Sequence, residues 1–439
     1  VQCSTYLSKQ SKKMPQPESD SVINRVETLI GHGINANKHQ FGLHLVQIFL
    51  VGLTVGMTRL VVPGLAESEF GLADDAFFLL ASFVVVFGVV KAIMNLLAGK
   101  LSETYGRKTV LLWGWLVALP IPFMLLYAPN WNWIIAATVL LGFNQGLCWS
   151  MALNSKLDLA NTSQKGFVNG VNEFSGYAAV GLAGVSTAYF VELWGAREGL
   201  FIFSLTVIVS GLLLAKFTIV ESLPWAKLHN DNAVAAGHIS EPQTLGQLFR
   251  TATLENKQLI ALNQAGLVEK FTDALVWIFL PVYFLSKNLN LIEAGAIIAV
   301  YGVVWGASQL ITGPLSDKIG RKGLIVWGMW FCAFGVLAIP LSHGVVWWTL
   351  EAALIGLGMA MLYPNLGAAV GDFSPEQHRA SFIGIYRFWR DSGYAFGALA
   401  MGLMAQMTQD LLSPFWFVGI AMLFSGLVVH ILIPKHINT

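Results

Sequence analysis

Charge is scarce in this chain. Asp, Glu, Lys and Arg make up only 12% of its 439 residues, and they nearly cancel, to a formal net charge of +1. A chain so close to neutral lacks the basic field that holds nucleic acid. Cysteine is scarcer still. Cys3, Cys148 and Cys332 are odd in number and widely spaced, and two of them lie in apolar runs. They fit neither a disulfide framework nor a zinc site and read as reduced packing residues. Also missing are a G-x-S-x-G elbow, an H-E-x-x-H helix, a His/Cys metal cluster and a phosphate-cradling Gly-rich loop with Lys. These absences argue against a hydrolase, a metalloenzyme and an ATP-driven pump. No catalytic residue, metal or cofactor is expected. Residues 1–38 are polar, so no cleavable leader is expected there; because the chain begins at Val1, its natural start is expected upstream.

What the chain has in abundance is apolar length. Hydrophobic residues reach 55%, and runs near the ~20 residues a bilayer-crossing helix needs recur throughout. We read twelve spans: 41–64, 76–98, 109–128, 131–153, 166–191, 199–220, 258–284, 293–312, 324–342, 347–369, 381–408 and 414–433. The long interior polar stretch, 221–257, divides them into six and six. The expected organisation is therefore an N-terminal segment 1–40, a bundle over 41–220, a linker 221–257, a second bundle over 258–433 and a tail 434–439. Basic residues set the sidedness. With the N-terminus cytoplasmic, Lys100, Arg107, Lys108, Lys156, Lys165, Lys227, Arg250, Lys257, Lys318, Arg321, Lys322 and Arg379 fall inside, and only Arg197 and Lys287 fall outside. Both termini and the linker are expected inside, in a multi-pass protein of the plasma (inner) membrane. Segments 21–30 and 244–251 each carry an apolar stripe and read either as helices on the membrane surface or as solvated linker.

The halves repeat each other. Gly88–Lys108 and Gly302–Lys322 share ten of 21 positions at an offset of 214 residues, and each copy runs from an apolar span into a basic turn. The turns, Gly99-Lys-Leu-Ser-Glu103-Thr-Tyr-Gly106-Arg107-Lys108 and Gly313-Pro-Leu-Ser-Asp317-Lys-Ile-Gly320-Arg321-Lys322, follow one pattern, G-x-L-x-[D/E]-x-x-G-R-K. Their glycines suit a tight reversal and close helix approach, and the same offset links Asp158 to Asp372 as partners for the two arginines. This pattern resembles the signature turn of the major facilitator superfamily, and the resemblance spans about 41–433. It implies an all-α integral membrane fold of twelve helices in two pseudo-symmetric six-helix bundles. It also implies a gating role for Gly99, Glu103, Gly106, Arg107, Asp158, Gly313, Asp317, Gly320, Arg321 and Asp372. There are departures. Glu103 stands where the family usually has Asp. Gln145-Gly146 lacks the preceding span-four Arg of the family's proton-coupled exporters, and span five lacks their Gly-Pro motif.

Ionisable residues inside spans are costly and mark function. In span eleven, Arg387, Arg390, Asp391 and Tyr394 share a helical face. Matching Ser175–Ala178 to Ser392–Ala395 sets Glu173 opposite Arg390. These groups read as a site or as an ion pair locking helices. By the resemblance, spans two and eleven are neighbours, so Lys91 is placed to pair with Asp391 as a gate. Span seven carries Glu269, Lys270 and Asp273, with Trp277 one turn on. A carboxylate in low dielectric can take up and release protons, which makes Glu173, Glu269, Asp273 and Asp391 proton-coupling candidates; Lys270 at i−3 would instead silence Asp273. Arg59 reads as snorkelling to the outer interface or as attracting an anion. By the resemblance, spans four and ten face a cavity, which offers Asn144, Gln145, Trp149, Tyr363 and Asn365 beside Trp277, Arg387 and Arg390 as substrate contacts. Pro364 suggests a locally broken helix.

The expected function is secondary transport of a small solute by alternating access, as proton-coupled efflux. The alternatives are a uniporter or symporter for an organic anion and a non-transporting sensor on a carrier scaffold. The expected partners are the solute, protons and the bilayer, with no nucleic acid, and the protein is expected to be a monomer.

Overall fold

A computed structural model describes residues 33–64, 66–73, 75–161, 164–224, 226, 244–375 and 378–434. The expected surface helix over 21–30 lies outside them, as does Cys3. Among the described residues the chain is helical throughout, without strands. In chain order the long helices are α1 (Lys38–Arg59, continued by the turn Val61–Gly64), α2 (Phe77–Tyr105), α3 (Arg107–Ala118, continued by Ile121–Leu126), α4 (Trp131–Leu159), α5 (Lys165–Trp194) and α6 (Ala196–Thr218). After the linker come α7 (Lys257–Ser286), α8 (Leu291–Ile319), α9 (Arg321–Ala338), α10 (Val345–Asp372), α11 (Arg379–Thr408) and α12 (Ser413–Leu432). Ten of these are long and apolar enough to cross a membrane. The other two, α7 and α11, reach 30 residues each but carry Glu269, Lys270, Asp273, Arg387, Arg390 and Asp391.

The helices pack as two groups of six with matching neighbours. In the first group α1 lies on α5, α2 on α4 and α3 on α4; in the second α7 lies on α11, α8 on α10 and α9 on α10. Two extensive crossings join the groups, α2 on α11 and α5 on α8, with α7 also touching α1 and α2. Glycine lets them approach. A Cβ on Gly88 would strike the backbone of Ala395, and one on Gly302 would strike the backbone of Gly181. In lipid, where apolar side chains gain little from meeting each other, such close crossings let backbone packing hold helices together.

The repeated turn is shorter than its motif. Helix α2 continues through Ser102 and Glu103 to Tyr105, and α8 continues to Ile319; the chain reverses only at Gly106 and Gly320, whose φ angles are 91° and 89°. A side chain is strained in that region, so these two glycines are required there. The earlier glycines of the motif are not close-approach points: a Cβ on Gly99 or Gly313 would meet nothing within 4 Å.

Helix α10 is also not broken at Pro364. Proline cannot bond the carbonyl four residues back, here that of Ala360. The hydroxyl of Thr312 on α8 donates to that oxygen at 2.6 Å, and the helix runs on. In the linker, Thr244 caps a short helix, Leu245–Arg250, with a capping box to Gln247. Leu248 is buried, Leu245 is exposed, and Phe249 rests edge-on to Phe388 of α11.

Candidate functional site

Arg59 does not snorkel. It is buried, and its guanidinium donates to both oxygens of Asp273, the second at 3.0 Å. Tyr301 donates to Asp273 Oδ1 at 3.0 Å, and Tyr394 donates to Oδ2. The carboxylate of α7 thus collects donors from α1, α8 and α11, and so from both halves. Trp277 lies under the Arg59 guanidinium, 4.9 Å from it, and donates its Nε1 to the Thr58 carbonyl at 3.2 Å. Removing a charge from water costs several kcal/mol unless it is paired and hydrogen-bonded; here both terminal nitrogens of Arg59 reach the carboxylate, and only its Nε lacks a partner.

A second knot lies nearer the basic turns. Arg390 donates to both oxygens of Asp391 at 3.1 and 3.3 Å, and Asn95 of α2 donates to Oδ2. Lys91 stands 4.0 Å from Oδ1, so the expected contact between α2 and α11 is present. The Arg390 guanidinium lies 4.5 Å from the ring of Tyr363 and 5.8 Å from that of Tyr386.

Between the two knots sits Lys270, with no solvent exposure. Its ammonium group is 3.3 Å from Glu269 Oε1 and 3.7 Å from Asp273 Oδ2, and it donates to the Tyr177 hydroxyl at 3.5 Å. Four rings surround it, those of Trp305 and Tyr363 at 4.8 Å, Tyr394 at 5.4 Å and Tyr177 at 5.5 Å. Such cation–π contacts strengthen as water is excluded. The seam between the halves therefore holds Arg59, Lys91, Lys270 and Arg390 against Glu173, Glu269, Asp273 and Asp391, all buried, a balanced set.

The balance in charge hides an imbalance in hydrogen bonds. Asp273 and Asp391 are fully engaged. Glu269 has its ion pair with Lys270, yet neither oxygen accepts a hydrogen bond. Trp305 Nε1, both amide atoms of Gln309, Asn365 Oδ1, Tyr386 Oη and Glu173 Oε2 are likewise buried without partners. A buried polar group left unpaired costs about 1–3 kcal/mol, so these atoms have bonding capacity to offer a ligand or water.

Other sequence candidates lie elsewhere. Asn144 donates to the Gly114 carbonyl at 3.0 Å, and Gln145 to Val51 O and Thr54 Oγ1 at 2.9 Å each. These amides tie α4 to α3 and α1 inside the first bundle. Trp149 does reach the seam, donating to Glu173 at 3.3 Å and tilting against Tyr177. Glu173 also accepts from Asn172 at 2.7 Å. Arg387 is only half-buried. Lys156, counted above among the loop cations, is wholly buried in α4 and donates to the His44 carbonyl at 3.1 Å. The sequence reading missed Tyr301, Trp305, Gln309, Tyr386 and the partner of Arg59. For the last a signal existed: Arg59 and Asp273 are themselves 214 residues apart.

The two basic turns bind their acids within their own halves. Arg107 donates to Asp158 at 3.2 Å and Arg321 to Asp372. The first turn also grips the linker. Glu221 accepts the main-chain N–H of Arg107 at 2.8 Å and of Lys108 at 3.0 Å, where a carboxylate suits the start of α3. Ser222 donates to Asp158 at 2.9 Å. Glu103 is exposed, and the side chain of Asp317 lies outside the described set. Hydrogen bonds and ion pairs between the halves run from Phe78–Gln406, at the end remote from the basic turns, to Asn95–Asp391.

The fold has known counterparts. The family model described as Major Facilitator Superfamily matches residues 45–262 and 265–437. The Proton-coupled antiporter flippase LtaA of Staphylococcus aureus is 24% identical over 396 residues, which cover 87% of this chain and 92% of that protein. The Quinolone resistance protein NorA of the same species is 26% identical over 183 residues, 40% of this chain and 46% of its own. Among solved structures, a D-xylose-proton symporter superposes with a TM-score of 0.71 over 89% of this chain and 97% of its own, at 17% identity.

Proposed function

Because the chain belongs to the major facilitator superfamily, we propose that it is a secondary transporter whose halves rock about the buried charged seam, moving a small solute at the expense of a proton gradient. The observation that carries proton coupling is Glu269. It is buried, shares its single cation with Asp273, and accepts no hydrogen bond. Unlike Asp273 and Asp391, it gives up no hydrogen bond on taking a proton, which suits a proton carrier. Asp273 and Asp391 serve as structural counter-ions that clamp the halves together. With the basic turns on the cytoplasmic side, the contacts between the halves lie towards the outer half of the pathway, which supports reading this form as inward-facing. Export is supported by the descriptions of the two staphylococcal relatives.

A second reading, uptake of an organic anion together with a proton, is favoured by one feature: Lys270 is held by Glu269, so an anion that takes Lys270 leaves Glu269 to be protonated.

Proteoliposomes loaded with a pH-sensitive dye test both. Solutes drawn from organic anions, sugars and organic cations are added outside, and proton movement is followed. A carrier gives proton flux with some solutes and not others, and Glu269→Gln removes that flux while sparing solute exchange. Undiminished solute-dependent proton flux in Glu269→Gln sinks the assignment of Glu269. The sign of the flux separates antiport from co-transport.

A further inference from the structure

We propose that Lys91 and Lys270, one from each half, form a shared site for the acidic group of a small organic anion with a flat apolar body. The proposal rests on the transporter reading and names its substrate class. Three observations carry it.

The first is the placement of the lysines. Both ammonium groups lie against the same ring, that of Tyr394, at 5.1 Å for Lys91 and 5.4 Å for Lys270. Two like charges in so small an apolar volume repel, and a shared anion relieves both.

The second is how few hydrogen bonds hold them. Among the described residues Lys91 donates no hydrogen bond, and its ion pair with Asp391 spans 4.0 Å. That carboxylate is already filled by Arg390 and Asn95. Lys270 has ion pairs with Glu269 and Asp273 at 3.3 and 3.7 Å, and its hydrogen bond at 3.5 Å goes to a tyrosine hydroxyl. An ammonium group has three donors, so in Lys91 most of this capacity is unspent. Glu269, 3.3 Å from Lys270, shows that a carboxylate is accepted there; it stands in for the incoming acid.

The third is the wall. Trp149 flanks Lys91 at 5.7 Å, and Tyr177, Trp305 and Tyr363 flank Lys270. Trp305 Nε1 and Gln309, one turn apart on α8, are buried and unpaired, and can bond further oxygens of the same ligand. Tyr177 and Trp305 are stacked on each other, so a ligand meets their outer faces and edges, which suit a flat body over a bulky one. A cationic ligand is disfavoured because the cage already holds the Lys270 cation. Since one lysine comes from each half, an anion bridging them draws the halves together and couples binding to closure.

The purified full chain is examined by thermal unfolding and tryptophan fluorescence with benzoate, cyclohexanecarboxylate, benzamide and benzylammonium. Benzoate is expected to raise the melting temperature and change the fluorescence, cyclohexanecarboxylate to act more weakly, and the neutral and cationic probes to do nothing. Lys91→Met is expected to weaken benzoate by about tenfold, and Lys91→Arg to retain most of the affinity. Lys270→Met should do the same; if it fails to fold, the Lys91 pair decides, because Lys91 makes few bonds. Stabilisation by benzylammonium alone, by neither carboxylate, or by benzoate equally in wild type and Lys91→Met overturns the site. Exchange of labelled benzoate across proteoliposomes separates the two readings. Lysine-dependent binding without exchange supports the site and sinks the transporter, whereas exchange with unchanged affinity in Lys91→Met sinks the site and keeps the transporter.

Discussion

The two crossings that join the halves occupy equivalent places in the repeat but are built differently. In α2 on α11, Gly88 meets the backbone of Ala395, and Lys91, Asn95, Arg390 and Asp391 form a charged knot. In α5 on α8, Gly302 meets Gly181 and Gly306 meets Ala178. There the equivalents are Trp305 for Lys91, Gln309 for Asn95, Phe174 for Asp391 and Glu173 for Arg390. One crossing is locked by charge, with Asp391 and Arg390 paired and only Lys91 loosely held; the other is packed by rings and glycine and leaves Gln309, Trp305 and Glu173 with unpaired atoms. Backbone approach was kept on both sides, whereas polar chemistry was divided. The Arg390–Asp391 pair resists rearrangement, whereas the loosely held Lys91 and the unpaired groups of the other crossing are where a ligand changes the balance.

The contrast can be broken at its strongest point first. Asp391→Ala strands Arg390 and Lys91 without a counter-ion, and should cost about 3–5 kcal/mol. The matching change Glu173→Ala, which removes an acceptor of two neutral donors, should cost about 1 kcal/mol. Chemical or thermal unfolding in detergent compares them; equal losses would show that the two crossings are not electrostatically distinct. Gly302→Leu comes next. Its side chain meets main chain at Gly181, so a loss of about 1–3 kcal/mol is expected, and Gly88→Leu should match it because the glycine contact is common to both sides. The smallest pair sharpens the picture most. Asn95→Leu loses a hydrogen bond to a carboxylate, about 1.5–3 kcal/mol. Gln309→Leu removes a buried amide that has no partner and should be neutral or slightly stabilising in the melt, while weakening solute binding. A destabilised Gln309→Leu would mean that its amide is already engaged.

Hydropathy made the spans legible, and the 214-residue offset made the halves legible, because both depend only on residue type and order. The ends of α2 and α8 were harder. Polar residues such as Ser102 and Glu103 look like loop but continue a helix until Gly106 forces the reversal. Pro364 looked like a break because the hydroxyl that rescues the Ala360 carbonyl comes from Thr312, on another helix. Of the site, the acids and bases were visible as costly residues in apolar runs, and Lys91–Asp391 followed from expected neighbours. Arg59–Asp273 did not, because an offset says that two positions are equivalent and not that they touch. Asn144 and Gln145 misled for a related reason: an amide in a span must bond something, and here it is the carbonyls of neighbouring helices.

That same pair has a historical consequence. Two equivalent positions that meet lie on the axis relating the halves. Had the ancestor been a pair of identical six-helix chains, residue 59 would have faced its own copy, arginine against arginine or aspartate against aspartate. Neither forms a salt bridge. The opposite charges at Arg59 and Asp273 can meet there only because the two halves differ at this position.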